Sequence, residues 1–208
     1  MPEATDLRDR VLSRGFYDRP TLEVAADLLG KVLVHRRGPH ETSGVIVEVE
    51  AYIGESDPAC HAAPGPTARN APLYGPPGFA YVYLNYGIHA LVNVVTEAEG
   101  CPAAVLIRAL EPRGGVEAMR RRRARVARGR SRRADAELCQ GPGNLTMAMG
   151  ITLGENRADL LGPRLWIEDH ALAVPHVTWS PRIGISVGVD RPWRAYVTGH
   201  PSVSGRIR

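Results

Sequence analysis

The chain has 208 residues and 22.6 kDa, with 44% hydrophobic and 23% charged residues, enough apolar content for a sizeable core and too much for global disorder. Its 26 basic residues against 22 acidic ones give +4, and reading them singly shows one lysine, Lys31, and otherwise arginine. Arginine stays charged and forks onto phosphate or carboxylate, whereas an amine nucleophile is normally a lysine, so covalent amine catalysis is poorly provided for. No apolar run reaches the roughly 18 residues of a membrane span, and the polar start MPEATDLRDR lacks a secretory core segment. Cys60, Cys101 and Cys139 are well separated and include no CxxC pair, which disfavours a disulfide framework or a cysteine-rich zinc site and fits a reducing cytoplasm.

In chain order, the first element is a helix over DRPTLEVAADLLGK, with Pro20 suited to its first turn, Leu22, Ala25, Ala26, Leu28 and Leu29 at helical spacing, and Gly30 as its stop. Residues 31–36 read as a strand. From Val45 to Tyr52 the alternation places Val45, Val47, Val49 and Ala51 on one face and Ile46, Glu48, Glu50 and Tyr52 on the other. A Pro/Gly/Ala loop spans 54–77; loops of that length in a compact domain are functional or disordered. FAYVYLN, HALVNVV and AAVLIRAL are strand-like, the first two joined around Tyr86-Gly87. A helix near GPGNLTMAMG and short strands at RLWIED, RIGIS and RAYVTG complete the pattern. It predicts a single α+β domain, a curved and mostly antiparallel sheet with flanking helices, over 15–208 after an N-terminal extension of 1–14.

The charge is not evenly spread. Nine arginines and no acid lie between Arg120 and Arg133, leaving 17 basic residues against 22 acidic elsewhere. The body is therefore mildly acidic, and the basicity is a local patch within an Arg-rich segment, 119–134. The sequence leaves open whether that segment is a solvated loop or an ordered element. Such a concentration of arginine attracts a polyanion backbone, and Arg120, Arg121, Arg122 and Arg123 are its first candidates.

Glu48 and Glu50, at i and i+2, would project the same way from a strand, roughly 7 Å apart. Spacing alone allows two readings, solvated charges on an exposed face or an acid pair flanking a glycosidic bond. Tyr81 and Tyr83 share a strand face and suit either core packing or stacking on a nucleobase, and Tyr86 at a turn tip could wedge into a duplex. His35, His40, His61 and His89 match no metal-ligand spacing, so no metal and no cofactor is expected.

Together these segments resemble the alkyladenine (3-methyladenine) DNA glycosylases. The resemblance runs from FYDRPTLEVAADLLGKVLV through GVIVEVEAYIGESDPACHAAPGPTARNAPLYGPPGFAYVYLNYGIHALVNVV, AVLIRALEP and LCQGPGNLTMAMGI to SPRIGIS and WRAYVTGHPSVS, nearly the whole chain apart from residues 1–14 and the arginine run. It implies that a damaged purine is flipped out of double-stranded DNA into a pocket, because its glycosidic bond is unreachable while stacked. By the same resemblance Glu50 is the general base that activates water and Arg108 positions that water and keeps Glu50 ionised. Tyr52, His61 and Tyr83 wall the pocket, Asn93 crowds the amino group of normal guanine, and Tyr86 fills the gap left in the duplex. An N3- or N7-alkylated purine leaves as a neutral base without an acid catalyst, so one carboxylate suffices. With water rather than an amine as nucleophile, the expected product is an abasic site. The expectation is a monomeric, monofunctional glycosylase of base excision repair, nucleoid-associated in a bacterial cytoplasm. It would act on 3-methyladenine and 7-methylguanine, with hypoxanthine and ethenoadenine as further candidates. The rivals are a non-catalytic nucleic-acid-binding module and a carbohydrate hydrolase using Glu48 and Glu50.

Overall fold

A computed structural model describes residues 7–126 and 134–205. Among them, helices α1 (Arg14–Tyr17), α2 (Thr21–Leu28), α3 (Val116–Val126) and α4 (Pro142–Met149) accompany strands β1 (Val32–Arg37), β2 (His40–Ile53), β3 (Ala80–Asn85), β4 (His89–Val95), β5 (Ala103–Gly114), β6 (Leu165–Glu168), β7 (Val177–Ser180) and β8 (Arg194–Val197). The strands form one sheet in the order β3-β4-β5-β2-β1-β6, with β8 on β2 and β7 on β8, and every pairing is antiparallel. The expected α+β fold with an antiparallel sheet is what the chain adopts.

The fourteen-residue β2 is the spine. One edge pairs with β5 from Ser43 to Ile53. The other edge pairs first with β1, up to Val32 opposite Val45, and then with β8, from Glu48 opposite Tyr196 to Glu50 opposite Arg194. Between these two partners the ladder is irregular. Val47 is an extra residue on β2, between the pairs Ile46–Leu110 and Glu48–Ala109, and Arg108 is an extra residue on β5, between Glu48–Ala109 and Val49–Ile107. A bulge bends a strand and re-aims its side chains. Here two of them, one per strand, bracket Glu48 and cancel, so the register beyond is unchanged.

The bulge corrects the simple alternation. Ile46, Val49 and Ala51 enter the main core, whereas Val45 and Val47 pack in a second cluster with Trp166 and Tyr196 on the other face. Glu48, Glu50 and Tyr52 keep a common face, but Val49 and Ala51 do not share one with Val45 and Val47, because the extra residue shifts the parity.

The main core lies under α2 and α4, with Val24, Ala25 and Leu28 of the first and Leu145, Ala148 and Met149 of the second in one cluster with the sheet's Val82, Val94, Val105 and Ile107. Pro20 caps α2 from just outside it, and Gly30 follows at φ +82°, where a Cβ would lie 2.6 Å from Val174. On the opposite face the 54–77 loop folds back, with a 3₁₀ turn at Ala71–Tyr74, and buries Cys60, Ala62 and Leu73 against Tyr81, Val95 and Ala104.

One short element differs from expectation. RIGIS is not a strand: Arg182 is buried in an ion pair and Gly184 has φ +76°, so side-chain contacts rather than a ladder hold 182–186. The strand there is instead β7, whose alternation of exposed and half-buried positions is too short to stand out. In the arginine-rich segment, residues up to 126 extend α3, and the remainder of the run, 127–133, lies outside the described residues.

Candidate active site

The second sheet face carries a cavity of about 360 Å³, within the range of small-ligand sites. Its walls come from β2, β3, β4 and β5, the 54–77 loop, the turn 183–185 and the start of α4. Tyr52, His61, Tyr83, Tyr86, Asn93 and Arg108, all expected in one site, line this one cavity. Residues far apart in sequence are brought together because odd-numbered positions of β3 and β4 point to this face while Val82, Val92 and Val94 go to the core.

One wall is aromatic. The His61 and Tyr83 rings lie 4.4 Å apart, centre to centre, and Tyr81 and Tyr83 lie 5.3 Å apart. His61 Nδ1 and Tyr81 Oη share a 2.9 Å hydrogen bond. Burial, aided by the Arg69 cation, lowers the His61 pKa, and burial pushes the Tyr83 phenol up to about 12. At neutral pH this wall is uncharged. Asn93 is buried beside it and donates from Nδ2 to the Tyr81 carbonyl at 3.0 Å. Tyr86 stands at the β3–β4 tip, 88% exposed and at φ +49°, a conformation disfavoured for a bulky residue.

Beneath the floor lie the carboxylates, both without solvent exposure. Glu50 accepts from Tyr52 Oη at 2.9 Å, Arg108 Nη1 at 3.1 Å and the Ile183 backbone N–H at 2.7 Å. All three donors belong to cavity-lining residues. Glu48, on the same sheet face, is bound by a denser set of donors: Arg108 Nε at 2.9 Å, Arg194 Nε at 2.7 Å, and Ser204 through both Oγ at 2.9 Å and N–H at 2.6 Å. The pair is therefore not the acid–base couple that strand spacing allows, since Glu48 is saturated by donors and bracketed by two guanidinium groups. Burial works against the charge of Arg108, but Glu50 and Glu48 outweigh it and its pKa is raised.

Sequence reasoning missed the residues that hold this floor. Arg182 forms a two-pronged ion pair with Asp57, at 2.5 and 2.8 Å, with both side chains fully buried, and also sits 4.7 Å over the Tyr52 ring. This clamp ties the 54–77 loop to the turn whose next residue, Ile183, bonds Glu50. Arg182, Arg194 and Ser204 all fall in the segments SPRIGIS and WRAYVTGHPSVS, which carry no local signal of these long-range bonds.

The arginines of α3 divide. Arg120 pairs with Asp135, at 2.7 Å to Oδ2, and with Glu117; Arg123 is buried with Nη1 3.4 Å from Met147 Sδ. Arg123 is thus turned inward, away from any polyanion, because the helix places it against α4. Arg122 donates to the Ala148 carbonyl at 2.9 Å, while Arg121 and Arg125 are exposed. Lys31 pairs with Asp169 at 2.7 Å, away from the cavity. Among the described residues no group of three His, Cys, Asp or Glu side chains is arranged to hold a metal ion, and no helix is long and apolar enough to cross a membrane.

The chain is similar to known proteins over nearly its whole length. The family model described as methylpurine-DNA glycosylase matches residues 15–201. A protein of Methanocella arvoryzae is 50% identical over 200 residues, covering 94% of this chain and 96% of its own. One of Chlorobium phaeobacteroides is 48% identical over 197 residues, covering 94% and 96%, and one of Rhodopseudomonas palustris is 49% identical over 193 residues, covering 93% and 90%. All three are provisionally named 3-methyladenine DNA glycosylases.

Proposed function

The chain belongs to the methylpurine-DNA glycosylase family, hydrolases of N-glycosyl bonds in DNA repair, and on that premise we propose that it removes cationic alkylpurines from duplex DNA by a monofunctional, water-dependent reaction. The observation that carries this reading is the Glu50–Arg108 pair set directly under a neutral aromatic cavity.

The lesion's nucleotide is flipped into the cavity, and Tyr86, at the hairpin tip, takes its place in the stack. A base carrying positive charge is held against the electron-rich faces of Tyr83 and its neighbours. The lowered pKa of His61 spares such a base a second cation beside it. Asn93 is fixed by its bond to Tyr81 and crowds the amino group of normal guanine, a penalty that an alkylated guanine offsets through its positive charge and already weakened glycosidic bond.

As the glycosidic bond lengthens, charge moves from the base to the sugar. The base leaves neutral and takes no proton. The Glu50 carboxylate, paired with Arg108, stabilises the developing oxocarbenium ion and accepts a proton from the water that attacks it, giving an abasic site. With Lys31, the one lysine, paired to Asp169 outside the cavity, no lysine amine is placed to form a Schiff base.

The test is incubation with duplex DNA methylated to contain 3-methyladenine and 7-methylguanine, scoring free base and alkali-labile sites. Base release by the unmodified chain, slowed about a hundredfold or more in Glu50→Gln at undiminished DNA binding, supports the reading. Binding without release by the unmodified chain would establish the non-catalytic alternative, and a covalent adduct trapped by borohydride would overturn the water mechanism.

A further inference from the structure

We propose that Glu48 is a positioning residue, which together with Arg194 holds the Arg108 guanidinium in the orientation that serves Glu50. The inference rests on the glycosylase reading above and deepens it.

Arg108 is the extra residue of the β5 bulge, so the ladder does not fix its side chain as it would that of a regular strand position. What fixes it is its set of acceptors. Nε bonds Glu48 Oε1 at 2.9 Å, Nη1 bonds Glu50 Oε2 at 3.1 Å and Nη2 bonds Ser204 Oγ at 3.2 Å. Since a guanidinium is planar, holding Nε and Nη2 on the Glu48–Ser204 side determines where Nη1 points. Glu48 is held in turn by Arg194 Nε and by Ser204, whose carbonyl accepts from Arg194 Nη2 at 2.8 Å. Neither Glu48 nor Arg194 lines the cavity.

The cluster is also electrically closed, two carboxylates with two guanidiniums, all at most 7% exposed. The charged and titratable groups around Glu50 are Glu48 and Tyr52 from β2, Arg108 from β5, Tyr83 from β3, Arg182 from the 182–186 turn and Arg194, which is its cross-strand partner on β8. Removing one charge from this set unbalances Glu50, and the sign depends on which charge is removed. Without Glu48 the surplus is positive, and the acid limb of the rate profile moves to lower pH. Without the Arg194 cation the surplus is negative, and the limb moves to higher pH.

The experiment is single-turnover release of 7-methylguanine from duplex DNA between pH 4.5 and 8.5, using Glu48→Gln, Arg194→Gln and Arg194→Lys. The plateau rate is expected to fall about tenfold in Glu48→Gln and Arg194→Gln. Their acid limbs should move by about half to one pH unit in opposite directions, down for the first and up for the second. Arg194→Lys should return its limb to the parental position. A purely structural role would lower the melting temperature and the active fraction but leave both limbs in place, and that result overturns the proposal. If Glu48→Gln does not fold, the Arg194 pair decides the matter alone: an unmoved limb in Arg194→Gln overturns the proposal. Absence of release by the unmodified chain would overturn the glycosylase reading and this inference together, whereas release with unmoved limbs overturns the inference only.

Discussion

Tyr52 Oη donates a 2.9 Å hydrogen bond to Glu50 Oε2 from two residues along the same strand. Burial first, and then the charge of Glu50, raises the Tyr52 pKa, so the phenol remains a donor throughout the working pH range. The carboxylate is thus held by a neutral donor on one side and a cation on the other. Glu50→Gln is expected to reduce single-turnover base release by about 10²–10⁴-fold, with duplex binding retained in a filter or anisotropy assay. Tyr52→Phe removes one hydrogen bond but no charge and should cost about tenfold in the same rate.

Tyr86 makes a separable prediction because its exposed ring contributes little to the fold while its positive φ carries strain. Replacing it by glycine should leave stability unchanged or raise it by about 1 kcal/mol, measured by urea denaturation. Base release from a duplex should nevertheless fall about tenfold or more. Release from a single strand, which has no gap to fill, should fall less.

The Asp57–Arg182 clamp is where the fold is most exposed to a single change. Removing Arg182 as Arg182→Met strands a buried carboxylate and should destabilise by about 3–5 kcal/mol, with the double variant Asp57→Asn/Arg182→Met losing less than the two singles added. Burial by itself would raise the Asp57 pKa, but hydrogen bonds and charge from Arg182, with the Ala59 and Ile53 N–H groups, bring it below the usual value. A depressed carboxylate contributes stability that is fully present above its unfolded pKa of about 3.9 and disappears as pH falls through the folded value. The stability gap between the parent and Asp57→Asn should therefore be constant near neutrality and close below about pH 4.

The division of the α3 arginines gives a prediction for salt dependence. Burial, followed by the nearby Arg37, Arg121 and Arg125 cations, lowers the Arg122 pKa, and such crowding of like charge favours an anion. The double variant Arg121→Gln/Arg125→Gln should reduce the slope of log affinity against log salt by about 1.8. Arg123→Gln, a change at an inward-facing position, should leave the slope unaltered and lower the melting temperature instead.

Much of this architecture is legible in the sequence because it is written in periodicity. The β3–β4 hairpin, β5, α2 and α4 follow from alternation, helical spacing and glycine stops, and the residues expected to line one pocket do line one cavity. What periodicity does not carry is a bond between distant segments. Nothing near Asp57 in ESDPAC announces Arg182, more than a hundred residues away, and nothing in GHPSVS announces that Ser204 caps Glu48 through both its hydroxyl and its amide. The VEVEAY alternation is misleading for a related reason: a bulge is invisible until the partner strand is known. RIGIS looks like a strand because isoleucines alternate there, yet Ile183 uses its N–H for Glu50 rather than for a neighbouring strand.

The two opposed bulges have a consequence for how this chain can change length. Val47 and Arg108 act as a compensated frameshift in the ladder, each inserted against the other. Deleting Val47 alone would leave Arg108 uncompensated: β2 would alternate regularly, and pairing β5 with it residue for residue would turn Arg108 toward the core and Ile107 toward the cavity. Deleting both would restore regular pairing but remove the guanidinium itself. A shortened chain could therefore retain its sheet only by giving up its chemistry, so the irregularity must be inherited as a unit.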